Sequence, residues 1–348
     1  MTLKLGIIGT GRLGGFHAEK AKADPQVELV GIYDTRKDRT LELAEKLGVR
    51  AFDSPDELAS EVQAAVIAVP SVLHYEMAKP LLERKIHLLI EKPMTVDSGE
   101  AAELVETARR QKVVLLAGHT EQFNKAWQIG TESLRKRTSP ILIHAKRTSG
   151  YTFRSVDIGA VLDLMIHDLE LVLSVIPHEI VSVEAVGFST VGGHEDIADA
   201  RLAFAEGSVV HLFASRVHPS AERKMQIQTA HQFCEIDFAA GKAFSMTASP
   251  EVIRGEFAPG QPVGISPQIL MQEKFLRSET VCDASDALAL EMSDFAETVL
   301  TNRPSRFLSG ERAAQAVHAA AMILDKIQSG SPGGRLPHGH CVPFGFQW

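Results

Sequence analysis

Gly9-Thr10-Gly11-Arg12-Leu13-Gly14 stands between a short apolar run and a stretch with helical spacing. The run before it, Leu3 to Ile8, predicts a strand, and Leu13 to Ala23 predicts a helix that Asp24-Pro25 ends. A second apolar run, Val27 to Tyr33, ends at an acid about 20 residues after the glycines. Strand, glycine turn, helix and strand in this order predict a βαβ unit that binds a dinucleotide.

Each glycine of the motif has a physical role in holding a pyrophosphate. Gly9 permits a tight turn, Gly11 has no side chain to block the pyrophosphate, and Gly14 lets the helix pack close to the sheet. Arg12 and Leu13 occupy the first helical turn, where free N–H groups and the helix dipole favour negative charge. The alternative is a flexible loop, but the flanking strand and helix favour the dinucleotide interpretation.

Asp34 ends the second strand and can accept hydrogen bonds from the adenosine ribose hydroxyls. Its carboxylate would repel a 2′-phosphate, so the sequence predicts NAD as the cofactor, with NADP as the less favoured alternative. Arg36, Lys37 and Arg39 follow closely. They could offset that repulsion, or they could form the solvated start of a helix.

Strands and helices alternate through residues 1–120. The apolar runs lack polar alternation, which indicates strands that are buried on both faces of a parallel sheet. Ser54-Pro55 predicts a helix start, with a capping serine before a proline. The other segments are strands at 64–69, 86–90 and 113–117, and helices at 36–47, 73–84 and 98–111. We expect an α/β, doubly wound sheet that binds its ligand at the carboxyl ends of the strands.

From residue 121 onward the pattern changes. The predicted strands are 141–147, 180–188, 198–205, 208–215, 224–229 and 232–238, with a hairpin turn at Glu206-Gly207. Helices are expected at Ala160 to Val175, Ala287 to Leu300 and Gly310 to Ile327. This predicts a C-terminal α+β domain with a mostly antiparallel open sheet, rather than one large α/β sheet. The expected boundaries are 1–120, 121–330 and a Pro/Gly-rich tail at 331–348.

Three further segments follow the glycine motif in order: Ala68-Val69-Pro70-Ser71-Val72-Leu73-His74, Glu91-Lys92-Pro93 and Asp163-Leu164-Met165-Ile166-His167. Any one of these strings is common, but the four together at this spacing are specific. Over nearly the whole chain the sequence resembles the glucose-fructose oxidoreductase and inositol dehydrogenase (Gfo/Idh/MocA-type) family. The resemblance implies an N-terminal Rossmann domain and a C-terminal domain for substrate binding and oligomerisation. It also implies hydride transfer between NAD(P) and a secondary alcohol of a sugar, cyclitol or nucleotide sugar.

The resemblance places the lysine of E-K-P and the histidine of D-x-x-x-H at the substrate hydroxyl. Lys92 would stabilise alkoxide character, and His167 would accept the proton. Asp163 lies four residues earlier, on the same helical face, and would hold a substrate hydroxyl or orient the imidazole. Pro93 favours an extended Lys92 backbone and permits a cis bond. The expected cofactor-binding residues also include Pro70, His74 and Glu91.

Each of these residues also has an ordinary structural interpretation. Lys92 could be an exposed lysine, and His167 could be a core histidine among apolar neighbours. Asp163 and His167 could be metal ligands, but no further ligand cluster is evident, so no metal site is predicted. Glu91 is interpreted as a structural hydrogen-bonding residue rather than a catalyst. His74 either lines the nicotinamide pocket or caps the following helix.

Two segments narrow the resemblance. Gly118 to Ala126, together with Asp163 to Asp168, is similar to a subgroup of the family that oxidises UDP-N-acetylglucosamine at C3. Gln122 and Lys125 replace that subgroup's usual arginine and proline. Met165 fills a position where the family often has a small residue, so it narrows the pocket or alters helix packing. The candidate basic residues for a diphosphate, each otherwise a solvated surface charge, are Lys146, Arg147, Arg154, Arg216, Arg223 and Lys224.

The composition limits the partners. The chain has 348 residues, of which 45% are hydrophobic, enough for a sizeable core. A net charge of −8 argues against nucleic acid or an anionic membrane as a partner. Cys234, Cys282 and Cys341 are too far apart for a disulfide framework or a zinc site, which favours reduced thiols in a cytoplasmic protein. No apolar run approaches the roughly 18 residues of a membrane helix, and no signal peptide is expected.

Three functions compete at this stage. One is a sugar or nucleotide-sugar dehydrogenase, one is a non-catalytic dinucleotide-binding sensor, and one is a glycosidase that uses retained NAD. Lys92, Asp163 and His167 together favour chemistry, because a sensor has no need of them. In the family the open face of the second sheet pairs with another subunit, so a homo-oligomer, dimer or tetramer, is expected. The tail carries His338, His340 and Cys341 at poor metal-binding spacing, and we expect it to be packed or disordered.

Overall fold

The computed structural model describes residues 2–136, 139–153, 156–191, 193–256, 266–283 and 285–330. The C-terminal tail at 331–348 and Arg154 lie outside these ranges, so the expectations for them stay untested. The described residues form two sheets, and the helices pack between and around them. No helix within the ranges above is long and apolar enough to cross a membrane.

The first sheet has six parallel strands in the order β3-β2-β1-β4-β5-β6. This confirms the predicted doubly wound parallel sheet. The strand order reverses beside β1, so the carboxyl end of β1 is where such sheets bind ligands. The strands are β1 Leu3–Ile8, β2 Val27–Tyr33, β3 Arg50–Ala51, β4 Ala64–Ile67, β5 His87–Glu91 and β6 Leu115–Gly118.

Local sequence signals set the ends of the helices around this sheet. The Ser54 hydroxyl accepts a hydrogen bond from the Glu57 N–H at 3.1 Å, and Pro55 is the first helical residue, as predicted. Gly48 ends another helix in the left-handed region, with φ of 62°. The helices are α1 Arg12–Ala23, α2 Lys37–Leu47, α3 Pro55–Ala59, α4 His74–Glu83 and α5 Ser98–Gln111.

The second sheet has eight strands in the order β14-β13-β12-β11-β7-β10-β9-β8. It is mostly antiparallel, as predicted, with β7 and β10 as the parallel pair. Its last two strands in the chain, at 242–248 and 275–281, were not predicted from the sequence. The strands are β7 Leu142–Thr148, β8 Ile180–Phe188, β9 Ile197–Phe204, β10 Val209–Ser215, β11 Glu222–Gln228, β12 Gln232–Asp237, β13 Lys242–Ala248 and β14 Phe275–Val281.

The remaining helices connect the second sheet to the first. They are α6 Lys125–Thr131, α7 Ile166–Val175, α8 Pro250–Ile253, α9 Pro267–Lys274, α10 Ala287–Thr301 and α11 Gly310–Ser329. Met292 and Phe295 of α10 are fully buried in one core with Leu5 and Ile7 of β1. Gly310, at the start of α11, lies so close to the Leu115 carbonyl that an added Cβ would stand 2.6 Å from that oxygen. The C-terminal helices therefore return to the first sheet.

The prediction of one α-helix from Ala160 to Val175 is wrong at its start. Val161–Met165 forms a wider π-helical turn, and α7 begins at Ile166. Two outside groups bind backbone atoms of this turn. The Glu195 carboxylate accepts from the Val161 N–H at 2.9 Å, and the Lys92 ammonium donates to the Asp163 carbonyl at 2.7 Å. The Val161 N–H lies in the first turn, where it has no helical partner, so Glu195 caps the start of this turn. The bond from Lys92 competes with the helical hydrogen bond to the Asp163 carbonyl and so favours the wider turn.

Candidate active site

The glycine motif forms a tight turn between β1 and α1. Gly9 has φ of +93°, and a Cβ there would stand 2.5 Å from the Ala68 carbonyl oxygen. A Cβ on Gly14 would stand 1.8 Å from the Gly9 carbonyl oxygen, so α1 can approach the strand only because Gly14 has no side chain. Around Gly11, by contrast, no described atom beyond the adjacent residues lies within 4 Å of the Cβ position. Gly9 and Gly14 are therefore needed for internal packing, whereas Gly11 faces open space.

The start of α1 fits an anionic group. Gly11 precedes the helix, no side chain caps it, and no acidic residue stands in the first turn. Arg12 and Leu13 are exposed there. A groove of about 590 Å³ runs past this helix end and is lined by Gly11, Arg12 and Arg39 among others. Uncapped N–H groups with open space in front of them are the features that bind a pyrophosphate.

Asp34 lies at the end of β2, beside the glycine turn. Its carboxylate accepts from the Thr10 N–H at 2.7 Å and from the Arg36 N–H at 3.0 Å. Burial disfavours the charged form, but the hydrogen bonds from Arg36 and Thr10 outweigh it and hold the pKa of Asp34 below its usual value. The Thr10 and Thr35 hydroxyls also donate to this carboxylate, at 3.1 and 3.4 Å, so ribose hydroxyls would take the place of these two donors. Among the neighbouring cations, Lys37 is paired with Asp53 at 2.8 Å and Arg36 is exposed.

We expect Gly11→Ala to weaken NAD binding about tenfold or more without changing the stability of the cofactor-free protein. Gly11 has φ of −57° and an open Cβ position, so alanine fits the fold but occupies the space facing the uncapped helix end. Calorimetric titration with NAD and thermal unfolding measure the two effects. Gly193→Ala, where the Cβ also meets no atom, is the control. Unchanged NAD affinity in Gly11→Ala would place the pyrophosphate elsewhere.

Lys92 joins the two halves of the molecule. It follows β5 directly, and its bond to Pro93 is cis. Its ammonium donates to the Asp163 carbonyl oxygen at 2.7 Å and to the Asp163 carboxylate at 3.1 Å. Both side chains are mostly buried, with 16% and 21% of their surfaces exposed. The structure therefore brings together two of the three residues that the sequence predicted as catalytic, although 71 positions separate them.

His167 lies in the first turn of α7 and is partly buried. Its Nδ1 is buried and has no hydrogen-bond partner among the residues that the structure describes. Burial, and then the positive charges of Lys92 and Arg147, lower the pKa of His167 well below 6.5. The imidazole is therefore neutral near pH 7 and able to accept a proton. Asp163 bonds to Lys92, and no hydrogen bond from it to His167 occurs in the described structure.

His74 and Glu91 support the loops beside this site. The two ring nitrogens of His74 lie 2.8 Å from the Pro93 carbonyl and 3.0 Å from the Val69 carbonyl. Glu91 is buried and pairs with His17 of α1 at 2.6 Å. His17 was not singled out in the sequence, although it lies three residues after Gly14 on the inward face of α1. Direct contact of His74, Glu91 or the exposed Pro70 with a cofactor stays a prediction.

A second buried network, which the sequence analysis also missed, supports His167 from the second sheet. Arg147 on β7 makes a bidentate pair with Asp168, at 3.0 and 2.8 Å, and a third bond to Glu121 at 2.8 Å. Asp168 follows His167 directly, so this network fixes the start of α7. Arg147 is only 3% exposed and was predicted as a diphosphate candidate. Its guanidinium is instead engaged with two carboxylates of the protein.

Glu291 of α10 is a buried acid beneath the site. It is completely buried, and neither carboxyl oxygen has a partner in the described ranges. Burial, reinforced by the charge of Glu91, raises the pKa of Glu291 well above its usual value, which favours the neutral acid. Oε2 of Glu291 and Oε2 of Glu91 lie 3.6 and 3.5 Å from the Cβ position of Gly118, which shows that the two carboxyls converge.

The sequences of two protein-family domains match this chain. "Oxidoreductase family, NAD-binding Rossmann fold" matches residues 3–119, and "GFO/IDH/MocA C-terminal domain" matches residues 128–242. A UDP-N-acetylglucosamine 3-dehydrogenase of Acidithiobacillus ferrooxidans is 34% identical over 330 residues, which cover 94% of this chain and 98% of that protein. A myo-inositol 2-dehydrogenase of Thermotoga maritima is 28% identical over 237 residues, 62% of this chain and 69% of that protein.

Two solved structures are similar to this chain over nearly all of its length. The structure of UDP-N-acetylglucosamine 3-dehydrogenase from Acidithiobacillus ferrooxidans matches with a TM-score of 0.82 and 32% identity, covering 94% of this chain and 98% of that one. GenD2 from gentamicin A biosynthesis, solved in complex with NAD, matches with a TM-score of 0.77 at 20% identity and covers 95% of both chains. At 20% identity, the match to GenD2 shows only that the fold is shared.

Proposed function

Because the chain belongs to the GFO/IDH/MocA family of NAD-binding oxidoreductases, we propose that it oxidises the C3 hydroxyl of UDP-N-acetylglucosamine with NAD. Membership of this family shows that the protein is a dehydrogenase that acts on a CH–OH group. The substrate, the preference for NAD and the roles of single residues are the proposal. The observation that carries it is the contact of Lys92 with Asp163 next to the neutral His167, near the carboxyl edge of the first sheet.

Lys92 holds the reacting oxygen. Its ammonium has three donors, and Asp163 accepts from it at two oxygens, so one N–H is free for a substrate hydroxyl. A hydrogen bond to that oxygen stabilises the negative charge that develops as the alcohol loses its proton. The two bonds to Asp163 fix the direction of the ammonium, so little reorganisation is needed when the substrate binds.

His167 receives the hydroxyl proton. Its lowered pKa keeps the ring neutral near pH 7, which leaves a nitrogen lone pair available. Bound NAD would supply the hydride acceptor for the carbinol carbon, and loss of the hydride together with the proton that His167 takes would convert the alcohol to a ketone. A low pKa also makes the protonated ring a ready acid, and the same residue would serve the reverse reduction.

We propose NAD rather than NADP because Asp34 is ionised and stands beside the glycine turn. Asp34→Asn keeps an acceptor oxygen and removes the charge. We expect the ratio of kcat/KM for NAD over NADP to fall about tenfold, the equivalent of roughly 1.4 kcal/mol of charge repulsion. Steady-state kinetics with both cofactors measure this, and Asp325→Asn on α11 is a control with the same change of charge. A wild-type protein that uses both cofactors equally would contradict the assignment.

The substrate is tested with a panel. We would incubate the protein with NAD and with UDP-N-acetylglucosamine, UDP-glucose, glucose 6-phosphate or myo-inositol, and follow NADH absorbance. The proposal predicts the highest kcat/KM with UDP-N-acetylglucosamine and a ketone at C3 in the product by NMR. A higher kcat/KM with a cyclitol or a free sugar phosphate would show that the proposed substrate is wrong, although the protein would still be a dehydrogenase.

We further propose that the two sheets mark two domains, 1–120 and 121–330, and that the uncovered face of the second sheet joins copies of the chain. That face exposes apolar side chains, among them Leu142 on β7 and Val186 and Phe188 on β8. Exposed apolar surface of this kind is typical of an interface. Sedimentation equilibrium distinguishes a dimer or tetramer from a monomer, and a monomer would contradict this assembly. Cys234 and Cys282 are free thiols, which agrees with the proposed cytoplasmic location.

A further inference from the structure

The basic residues around the candidate site differ in what they can bind. Arg147 and Arg216 are buried in ion pairs, with Asp168 at 2.8 Å and Asp196 at 2.6 Å. These guanidinium groups hold the protein together and are not open to a ligand. Lys146 is paired with Glu222 at 2.7 Å, and Lys224 lies 3.6 Å from Asp237. Both lysines line the uncovered face of the second sheet, away from the helices.

Arg223 is different in position. Along β11, Met225 and Ile227 are buried against the helices, and Arg223 shares their face because side chains alternate along a strand. In the strand register Arg223 stands directly opposite Arg147 of β7. Its carbonyl accepts from the Phe238 N–H at 2.9 Å, and the Arg147 guanidinium lies 5.6 Å from the Phe238 ring centre. Arg223 therefore adjoins the network that fixes His167.

Arg223 is also different in charge balance. Its side chain is exposed, and it has no ion pair or hydrogen bond with any residue that the structure describes. Burial is the main cause of the lowered pKa of His167, and the positive charge of Arg223 adds a smaller contribution, which agrees with a position of Arg223 on the same face of the sheet as His167. The neighbouring Arg147 is already neutralised by Asp168 and Glu121. Among the described residues, Arg223 therefore has no carboxylate partner, although it lies on the face of β11 that packs toward His167.

We propose that Arg223 binds the diphosphate of the nucleotide sugar. The planar guanidinium presents paired N–H donors that match phosphate oxygens, and such charge-assisted bonds are stronger than neutral ones. This inference rests on the proposed function, because it assumes a substrate that carries a phosphate ester. It makes Arg223 a specificity residue, which distinguishes a nucleotide sugar from a neutral sugar with the same ring.

Arg223→Ala is expected to raise the Kd for UDP and the KM for UDP-N-acetylglucosamine about tenfold or more, with a much smaller change in kcat. Calorimetric titration of the NAD-bound protein with UDP and steady-state kinetics measure these quantities. Arg223→Lys keeps the charge and should recover part of the affinity. Added salt should weaken UDP binding to the wild type more than to Arg223→Ala, because the lost contact is electrostatic. Arg303→Ala, at an exposed arginine that follows α10 and lies outside both sheets, is the matched control.

The outcomes separate this inference from the function on which it rests. If the wild type oxidises UDP-N-acetylglucosamine and Arg223→Ala has the same KM, Arg223 does not bind the diphosphate although the substrate is right. If UDP binds in an Arg223-dependent way but UDP-N-acetylglucosamine is not oxidised, the diphosphate site stands and the sugar is wrong. Failure of the wild type to bind UDP, or equal losses in Arg223→Ala and Arg303→Ala, overturns the inference.

Discussion

Lys92→Met lowers kcat by about 10²- to 10³-fold if the ammonium of Lys92 stabilises the developing alkoxide, because that is the usual cost of removing one such donor. Methionine keeps most of the length of the side chain and removes its charge and its donors. The KM for the sugar should change less than kcat, since the bond gains most of its strength in the transition state. Steady-state kinetics with saturating NAD give both constants.

Lys92→Met also removes the contact with Asp163, and the effect of this loss on stability must be separated from the effect on catalysis. Lys92→Met leaves the Asp163 carboxylate and carbonyl without their donor, so thermal unfolding and NAD titration should accompany the kinetics. Lys326→Ala, on the exposed surface of α11, reports the effect of losing an ordinary lysine. A Lys92→Met protein that folds, binds NAD and keeps at least a tenth of wild-type kcat would show that the ammonium has no catalytic role.

His167→Asn should lower kcat/KM by about 10²- to 10⁴-fold, the usual range for a general base. It should also change the pH profile. The wild-type pKa of His167 lies well below 6.5, so the base stays neutral as the pH falls through 6.5, and activity should decline only at more acidic pH. In His167→Asn this acidic decline should disappear, because no group at that position titrates.

The pH profile distinguishes catalysis from packing. A purely structural role would lower activity in His167→Asn at every pH and leave the shape of the profile unchanged. His318→Ala, at an exposed histidine of α11, should match the wild type in both rate and profile. An inflection near pH 6.5 in the wild type would contradict the lowered pKa, because it would indicate an unperturbed histidine.

The elements whose signals are local could be predicted from the sequence. The helix predicted at 98–111 is present as Ser98–Gln111, and the glycine turn and the position of Asp34 after β2 are also confirmed. These features depend on caps, glycines and apolar periods within a few residues of one another. Arg50–Ala51 is a strand of two residues, which is too short to show any period.

The features that depend on distant residues could not be predicted from local pattern. The neighbourhood of Lys92 and Asp163 followed only from the family resemblance. The wide turn at Val161–Met165 is capped by Glu195, which lies some thirty positions later in the chain, and its Asp163 carbonyl is bound by Lys92. A charged residue is on the surface by default, so no neighbouring residue in the sequence indicates that Arg147 is buried between two carboxylates.

The most direct measurement uses UDP-N-acetylglucosamine that carries deuterium at C3, with NAD as the oxidant. We expect deuterium in the reduced cofactor by mass spectrometry, a slower rate than with the unlabelled substrate, and a 3-keto product. In Lys92→Met and His167→Asn the same products should form at least about 10²-fold more slowly. NADH without deuterium would place the oxidation at another carbon. NAD binding with no reduction would indicate a sensor, and release of UDP without net NADH would indicate a glycosidase that retains its cofactor; either result would contradict the account.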